Sequence, residues 1–176
     1  MGIWGFNPQY LSGIYISNLP LEEVLFFFCI PFSCTFTYFA LQYFFGKFTT
    51  PNWLYAITAV VGLGCLGIAI GHYNHWYTAT TFTLCGLLLL WIGVRLRPPH
   101  WNIFVTTYLL ILLPFYAVNG VLTGLFIPEQ VVWYNDHHNL GSRIFTIPLD
   151  DHAYSLVLQA SVVLLFERFR KRASTI

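Results

Sequence analysis

Two pairs of adjacent carboxylic acids, each directly after a Pro-Leu dipeptide, open two long apolar runs. The pairs are Glu22 with Glu23, and Asp150 with Asp151. One acid in the first turn of a helix satisfies free N–H groups and the helix dipole. A second, adjacent acid points about 100° away on a helix and cannot serve the same cap. An acid near hydrocarbon costs roughly 3 kcal/mol unless it is neutral or paired, so such groups are usually functional. We therefore predict that all four acids are catalytic.

Aromatic side chains follow both acid pairs. Phe26 and Phe27 come one turn after the first pair, and Tyr154 comes three residues after the second. An aromatic face stabilises a nearby cation, and an acid beside an apolar, aromatic slot suits the protonation of an alkene. We predict that these three aromatic residues bind substrate, together with the matching asparagines Asn7 and Asn135.

The two acid pairs belong to two copies of one motif, separated by a constant offset of 128 residues. The offset pairs Phe6 with Tyr134, Asn7 with Asn135, Gly13 with Gly141, Pro20 with Pro148, Glu22 with Asp150 and Glu23 with Asp151. A register held through a loop, a proline and an acid pair indicates an internal repeat. We predict one membrane-embedded domain over residues 1–176, with a first repeat motif at 4–45 and a second repeat at 76–172. Because the second copy has two helices ahead of its motif and the first has none, we expect a half-unit or a missing beginning.

The composition predicts a membrane protein. The chain is 57% hydrophobic and 9% charged, with a mean hydropathy of +0.64, whereas soluble domains carry about 25% charged residues. Five segments reach the roughly 20 residues that a spanning helix needs. They are residues 20–45, 53–71, 76–96, 101–121 and 148–169. The predicted fold is all-α, a polytopic transmembrane helical bundle with about five spanning helices and two parallel repeats.

Basic residues predict how this bundle is oriented. If the five segments alternate in direction, seven basic residues fall on one side of the membrane and only Arg143 on the other. The seven are Lys47, Arg95, Arg97, Arg168, Arg170, Lys171 and Arg172. Cytoplasmic loops carry the excess of Lys and Arg, so we expect a cytoplasmic C-terminus and acid pairs toward the outer side of the cell membrane. Aromatic residues at the helix ends form the expected interfacial belt, and these are Trp53, Tyr73, Trp76, Tyr77 and Trp101.

Neither a metal nor an organic cofactor is predicted. The six histidines are scattered, mostly in loops, and only His152, directly after Asp151, is expected to act in chemistry, as a proton relay. The segment from Gly62 to Gly67 reads GxGxxG, but it lies inside an apolar run with no preceding strand and no acid about 20 residues on. We interpret it as close helix packing through small residues. No nucleic-acid partner is predicted.

At these motifs the sequence resembles the small integral-membrane lycopene cyclases, which occur as heterodimers or as fused tandem repeats. The likeness rests on Trp4-Gly5-Phe6-Asn7, Asn18-Leu19-Pro20-Leu21-Glu22-Glu23, Val132-Trp133-Tyr134-Asn135, Thr146-Ile147-Pro148-Leu149-Asp150-Asp151 and Leu165-Phe166-Glu167. In that family the first copy usually begins with a further pair of helices. The second acid pair here is Asp-Asp where Glu is common.

The resemblance implies that the protein closes the ψ-ends of a linear carotenoid, lycopene, into rings without net redox change. A carboxylic acid protonates the terminal double bond, the C5–C6 alkene attacks the resulting C1 cation, and a base removes a ring proton. The family's acid pairs map onto Glu22, Glu23, Asp150 and Asp151. The implied partners are lycopene and membrane lipid, with a homo- or hetero-oligomer possible. The alternative is a non-catalytic membrane protein that binds carotenoid or supports a partner cyclase.

Overall fold

The computed structural model describes residues 2–47 and 49–173, with side chains described as far as residue 170. Five long helices make up most of this part of the chain. They are α1 (Leu21–Phe45), α2 (Asn52–Gly71), α3 (Trp76–Leu90, extended by a π-helical segment, Trp91–Leu96), α4 (Trp101–Leu122) and α5 (Leu149–Ala173). The predicted all-α bundle is confirmed.

Four of these helices, α1 to α4, are long and apolar enough to cross a membrane. The fifth, α5, is 25 residues long, with acids in its first turn and basic residues in its last turns. Helices α1 and α5 run in the same direction. Their first turns carry the two acid pairs, and toward their C-terminal ends Tyr38 of α1 donates a 2.5 Å hydrogen bond to the buried Glu167 of α5. The protein is therefore an integral membrane helical bundle.

Small residues bring α2 and α3 into close contact. A Cβ atom on Gly62 would lie 2.9 Å from the backbone nitrogen of Leu90, and one on Gly86 would lie 2.8 Å from the carbonyl oxygen of Gly62. Any larger residue at these two positions would force the helices apart. The predicted role of the GxGxxG segment thus holds at Gly62, whereas Gly64 and Gly67 have no neighbouring atom within 4 Å of a Cβ position.

Short two-stranded hairpins lead into both acid-bearing helices. The first pairs β2 (Tyr15–Ile16) with β3 (Leu19–Pro20), and the second pairs β5 (Arg143–Ile144) with β6 (Ile147–Pro148). Strands of two residues leave no periodic pattern in a sequence, so these hairpins are not among the predicted elements.

The two hairpins have the same local geometry. Their turns place Ser17 and Phe145, which are 128 residues apart, in the left-handed region at φ 58° and 56°. Each acid-bearing helix then starts with the same bond: the Leu21 N–H donates to the Ile14 carbonyl (2.9 Å), and the Leu149 N–H to the Ser142 carbonyl (3.0 Å). Both acid pairs are therefore presented by the same local fold.

A third strand pair joins the two copies. Strand β1 (Trp4–Phe6) runs antiparallel to β4 (Val132–Tyr134), with Gly5 opposite Trp133. The bonds that flank the pair are reciprocal: the Asn7 N–H donates to Val131 and the Asn135 N–H to Ile3. The two strands occupy equivalent positions in the two copies, 128 residues apart, and they pair antiparallel. They are therefore related by a local two-fold axis. This pairing holds the two acid motifs side by side.

Candidate active site

A cavity of about 410 Å³ lies between α1, α4 and α5. Its polar end is formed by two carboxyl groups and three phenols, those of Glu23, Asp151, Tyr77, Tyr134 and Tyr154. Apolar and aromatic side chains line most of the remainder, among them Phe26, Phe27, Ile30, Leu112, Phe115 and Val118. Pockets that combine an apolar lining with a few convergent polar groups are typical of small-molecule sites.

Two phenols hold the carboxyl group of Asp151. Tyr77 donates a 2.6 Å hydrogen bond to Oδ1, and Tyr134 donates a 2.8 Å bond to Oδ2. Burial, and then the neighbouring charge of Asp151, raises the pKa of Tyr134 above the ordinary tyrosine value. That phenol therefore keeps its proton and remains a donor. Hydrogen bonds given to a carboxylate favour its charged form.

Glu23 faces the same end of the cavity without such support. Its side chain is half-buried, and within the described part of the chain no hydrogen-bond donor reaches its carboxyl group. It is close enough to Asp151 for the two charges to interact. Two carboxyl groups that share a poorly solvated space disfavour double ionisation. The pair can thus hold one proton and one negative charge.

The other member of each acid pair lies outside the cavity lining. Asp150 is completely buried and accepts hydrogen bonds from the Thr78 hydroxyl (2.5 Å) and the Leu140 N–H (3.2 Å). Glu22 is exposed and accepts a 2.7 Å bond from the Ser12 N–H. Ser12 and Leu140 are also 128 residues apart, so both acids tie the preceding loop to the helix. A catalytic role for Glu22 and Asp150 stays a prediction.

The predicted substrate-binding residues divide in the same way. Phe26, Phe27 and Tyr154 line the cavity. Asn7 and Asn135 do not line the cavity. Each closes a local turn, because its side-chain oxygen accepts a 3.1 Å hydrogen bond from the backbone N–H two residues further on. Asn7 also donates to Glu129 beside a separate, open depression on the surface. Substrate binding by the two asparagines stays a prediction.

Sequence reasoning did not identify Tyr77, Thr78 and Tyr134 as site residues. Tyr77 was assigned to the interfacial belt because it stands at a helix end. Tyr134 carried a usable signal, since its counterpart at the 128-residue offset is Phe6, which has no hydroxyl group. Only the packing of α3 against α5 brings Tyr77 and Thr78 to the acids, because these residues are more than 70 positions apart in the chain.

His152 is not among the residues that line the cavity. One ring nitrogen lies 3.3 Å from the Pro148 carbonyl oxygen and the other 3.0 Å from the Tyr116 hydroxyl. Its predicted part in proton relay is untested by this arrangement. Among the described residues, no three His, Cys, Asp or Glu side chains come together in a group that could hold a metal ion.

These features define an integral membrane protein with two carboxyl groups at one end of an apolar, aromatic cavity. A family model described as Lycopene cyclase matches residues 1–41 and 74–169. The matched segments cover more than half of the chain and contain both acid motifs, and the omitted residues contain α2. The chain therefore belongs to the lycopene cyclase family, whose members act in carotenoid biosynthesis in membranes. No curated protein and no solved structure matches the chain.

Proposed function

We propose that this protein is a lycopene cyclase, or the catalytic subunit of one, that closes the ψ-ends of a linear carotenoid into rings. One observation carries the proposal: Glu23 and Asp151, one from each motif copy, share the polar end of an apolar cavity. A cyclisation that begins and ends with proton transfer needs an acid and a base at one end group, and it needs no redox cofactor.

Glu23 is the proton donor in this proposal. Its carboxyl group accepts no hydrogen bond from the described residues and borders apolar side chains, so its neutral form costs less than its charged form. The proton passes to C2 of the terminal double bond and leaves a tertiary cation at C1. Positioned general acids contribute about 10²–10⁴-fold to such steps.

The cavity wall protects the cation. Phe26, Phe27 and Tyr154 line the cavity that the two acids share, and aromatic rings attract cations at their faces, more strongly where water is excluded. Exclusion of water also prevents capture of the cation as an alcohol. The C5–C6 alkene then forms the C1–C6 bond, and the positive charge moves to C5.

Asp151 is the base. Its two hydrogen-bonded oxygens favour the carboxylate form, which removes a proton from a carbon next to C5. Transfer of that proton back to Glu23 restores the starting state, so the reaction consumes no protons. Because Glu22 and Asp150 do not line the cavity and accept hydrogen bonds from Ser12 and Leu140, the proposal gives them the role of holding the loops that precede the two helices. Their variants test this role against the catalytic role that the sequence predicts.

The proposal also includes a direction in the membrane. The acid pairs lie toward the outer side and the C-terminus is cytoplasmic, because the basic residues of the chain gather at the opposite helix ends. Fusion of a reporter that is active only in the cytoplasm to the C-terminus tests this orientation. A silent reporter on a membrane-inserted protein would reverse it.

The test of the activity is the pigment profile of a lycopene-accumulating bacterial host that expresses the chain. We expect cyclic carotenoids to replace lycopene. The host expressing the double variant Glu23→Gln/Asp151→Asn should keep lycopene while the protein remains in the membrane.

Unchanged lycopene with the wild-type protein in the membrane, and again after co-expression with a partner cyclase subunit, would contradict the catalytic proposal. The non-catalytic alternative would then gain support if the purified protein retained bound lycopene. Partner dependence would instead appear as cyclisation only in the co-expressing host.

A further inference from the structure

The position of the base decides which ring a cyclase makes. With the cation at C5, loss of a proton from any of the three neighbouring carbons gives a neutral product. Removal from C6 gives a β-ring, from C4 an ε-ring, and from the methyl carbon on C5 a γ-ring. These protons lie within a few ångströms of one another, so discrimination requires a base whose oxygen atoms are fixed.

Asp151 is such a fixed base. Each of its oxygens accepts one phenolic hydrogen bond, at 2.6 Å from Tyr77 and 2.8 Å from Tyr134. Two donors on two different oxygens define both the plane and the rotation of the carboxylate. A carboxylate oxygen can accept two hydrogen bonds, so each one retains a lone pair that can take a substrate proton.

The two phenols are themselves held by separate elements. Tyr77 lies in the first turn of α3, and its backbone N–H donates a hydrogen bond to the His138 carbonyl (2.8 Å). Tyr134 lies in β4 opposite Trp4 of β1, so the first motif copy helps to hold it in place. The two rings pack with centroids 6.2 Å apart. Rotation of the Asp151 carboxyl group with both hydrogen bonds kept would require movement of α3 and of the β1–β4 strand pair.

The acid of the other copy has no such clamp. The residue equivalent to Tyr134 at the 128-residue offset is Phe6, which has no hydroxyl group, and no donor among the described residues reaches Glu23. Both copies therefore place a carboxyl group at the cavity, but only the carboxyl group of Asp151 is held in one orientation.

We propose that Tyr77 and Tyr134 are positioning residues that orient Asp151 and thereby determine which ring type the protein forms. This inference rests on the proposed cyclase function. The phenols act through Asp151, and the variable they control is the ratio of β-, ε- and γ-rings.

The experiment compares Tyr77→Phe and Tyr134→Phe with the wild type in the lycopene-accumulating host, by chromatographic separation of the ring types. Each variant removes one oxygen atom and keeps the ring. We expect a shift of at least about tenfold in the ratio of the minor to the major ring type, with a smaller fall in total conversion. Tyr55→Phe is the matched control, because its buried hydroxyl donates to the Pro98 carbonyl outside the cavity, and it should keep the wild-type ratio.

An unchanged ratio in both variants, from an active protein, would overturn the inference and leave the cyclase function intact. A wild type that forms no rings, either alone or with a co-expressed partner cyclase subunit, would overturn both. If a phenylalanine variant forms no cyclic carotenoid, fluorotyrosine at the same position is used instead. It keeps the aromatic side chain and the hydroxyl group but makes that hydroxyl group a stronger hydrogen-bond donor. The stronger bond should draw the Asp151 oxygen toward that phenol and shift the ratio of ring types, and an unchanged ratio would overturn the inference.

Discussion

The two acid motifs have almost the same local structure and very different surroundings. In both, a short hairpin leads into a helix, and the first acid accepts a backbone N–H from ten residues upstream, Ser12 for Glu22 and Leu140 for Asp150. In the second motif, α3 adds Thr78 on Asp150 and Tyr77 on Asp151. Among the described residues no helix takes that place beside the first motif. A repeated local fold has thus acquired two chemical environments through one asymmetric helix contact.

The environments of the four acids are therefore set by their burial and hydrogen-bond donors rather than by their residue types. Asp150 is fully buried and Glu22 is exposed, although they hold the same position in the repeat. Asp151 has two donors, and Glu23 has none in the described part of the chain. Variants that exchange or remove these features test the comparison directly.

The largest effect should come from neutral amides at the two cavity acids. Glu23→Gln and Asp151→Asn each remove a proton-transfer group, so we expect cyclisation to fall about 10²–10⁴-fold. Glu22→Gln, on an exposed carboxyl group outside the cavity, should retain activity. The measurement is the rate of cyclic carotenoid formation in membranes with equal protein content. Equal losses in the Glu22 and Glu23 variants would remove the distinction between the two acids.

A change of side-chain length should affect the two cavity acids unequally. Asp151→Glu adds one methylene group between the two tyrosines, and a misplacement of about 1 Å can cost 10²-fold in rate. Glu23→Asp withdraws a carboxyl group that has no such clamp, so its loss should be smaller, about tenfold. The same rate assay checks this order. A larger loss in Glu23→Asp would show that Glu23 is the more strictly positioned acid.

Removal of the first acid of each pair should lower the stability of the protein in the second motif but not in the first. Asp150→Ala leaves the Thr78 hydroxyl and the Leu140 N–H without an acceptor in a buried site, at a cost of about 1–3 kcal/mol for each unsatisfied group. Glu22→Ala frees the Ser12 N–H at an exposed position, where water or a lipid headgroup replaces the carboxylate. Thermal unfolding in detergent should show a lower midpoint for Asp150→Ala alone. Equal midpoints would contradict the burial difference.

The smallest effect should come from an ion pair that only the second motif has. Nη2 of Arg143 lies 2.6 Å from Oδ1 of Asp136. The counterparts of Asp136 and Arg143 in the first motif are Pro8 and Tyr15, which carry no charge. A hydrogen bond from Asn139, and then the contact with Arg143, lowers the pKa of Asp136 below its usual value. A lowered carboxyl pKa stabilises the fold above the unfolded value of about 3.9, and this stabilisation is lost as the pH falls through the folded pKa.

The pH dependence of Asp136→Asn tests that contribution. The unfolding midpoint of the variant should lie slightly below that of the wild type above about pH 4, and the difference should vanish in stronger acid. Because Asp136 is exposed, the difference should be smaller than that of Asp150→Ala. A difference that persists at acid pH would assign the effect to packing instead of charge.

The membrane bundle, the repeated motif and the candidate acids follow from the amino-acid sequence alone. Long apolar runs have few alternatives to helices in lipid, because every backbone polar group must be satisfied within the segment. A constant offset of 128 residues likewise identified equivalent positions without any structure. The cavity residues Glu23, Asp151, Phe26, Phe27 and Tyr154 were all among the residues predicted for the site.

It is the packing of the folded chain that brings some of those residues to one cavity and gives them their hydrogen-bond donors. Tyr77 lies 74 positions from Asp151 in the chain, and Tyr134 takes its place through a strand pair with the first copy. Contacts across such separations depend on how whole helices and strands pack, and no local periodicity records them. The contacts of these hydroxyl groups with Asp151, which distinguish it from Glu23, therefore became apparent only in the folded molecule.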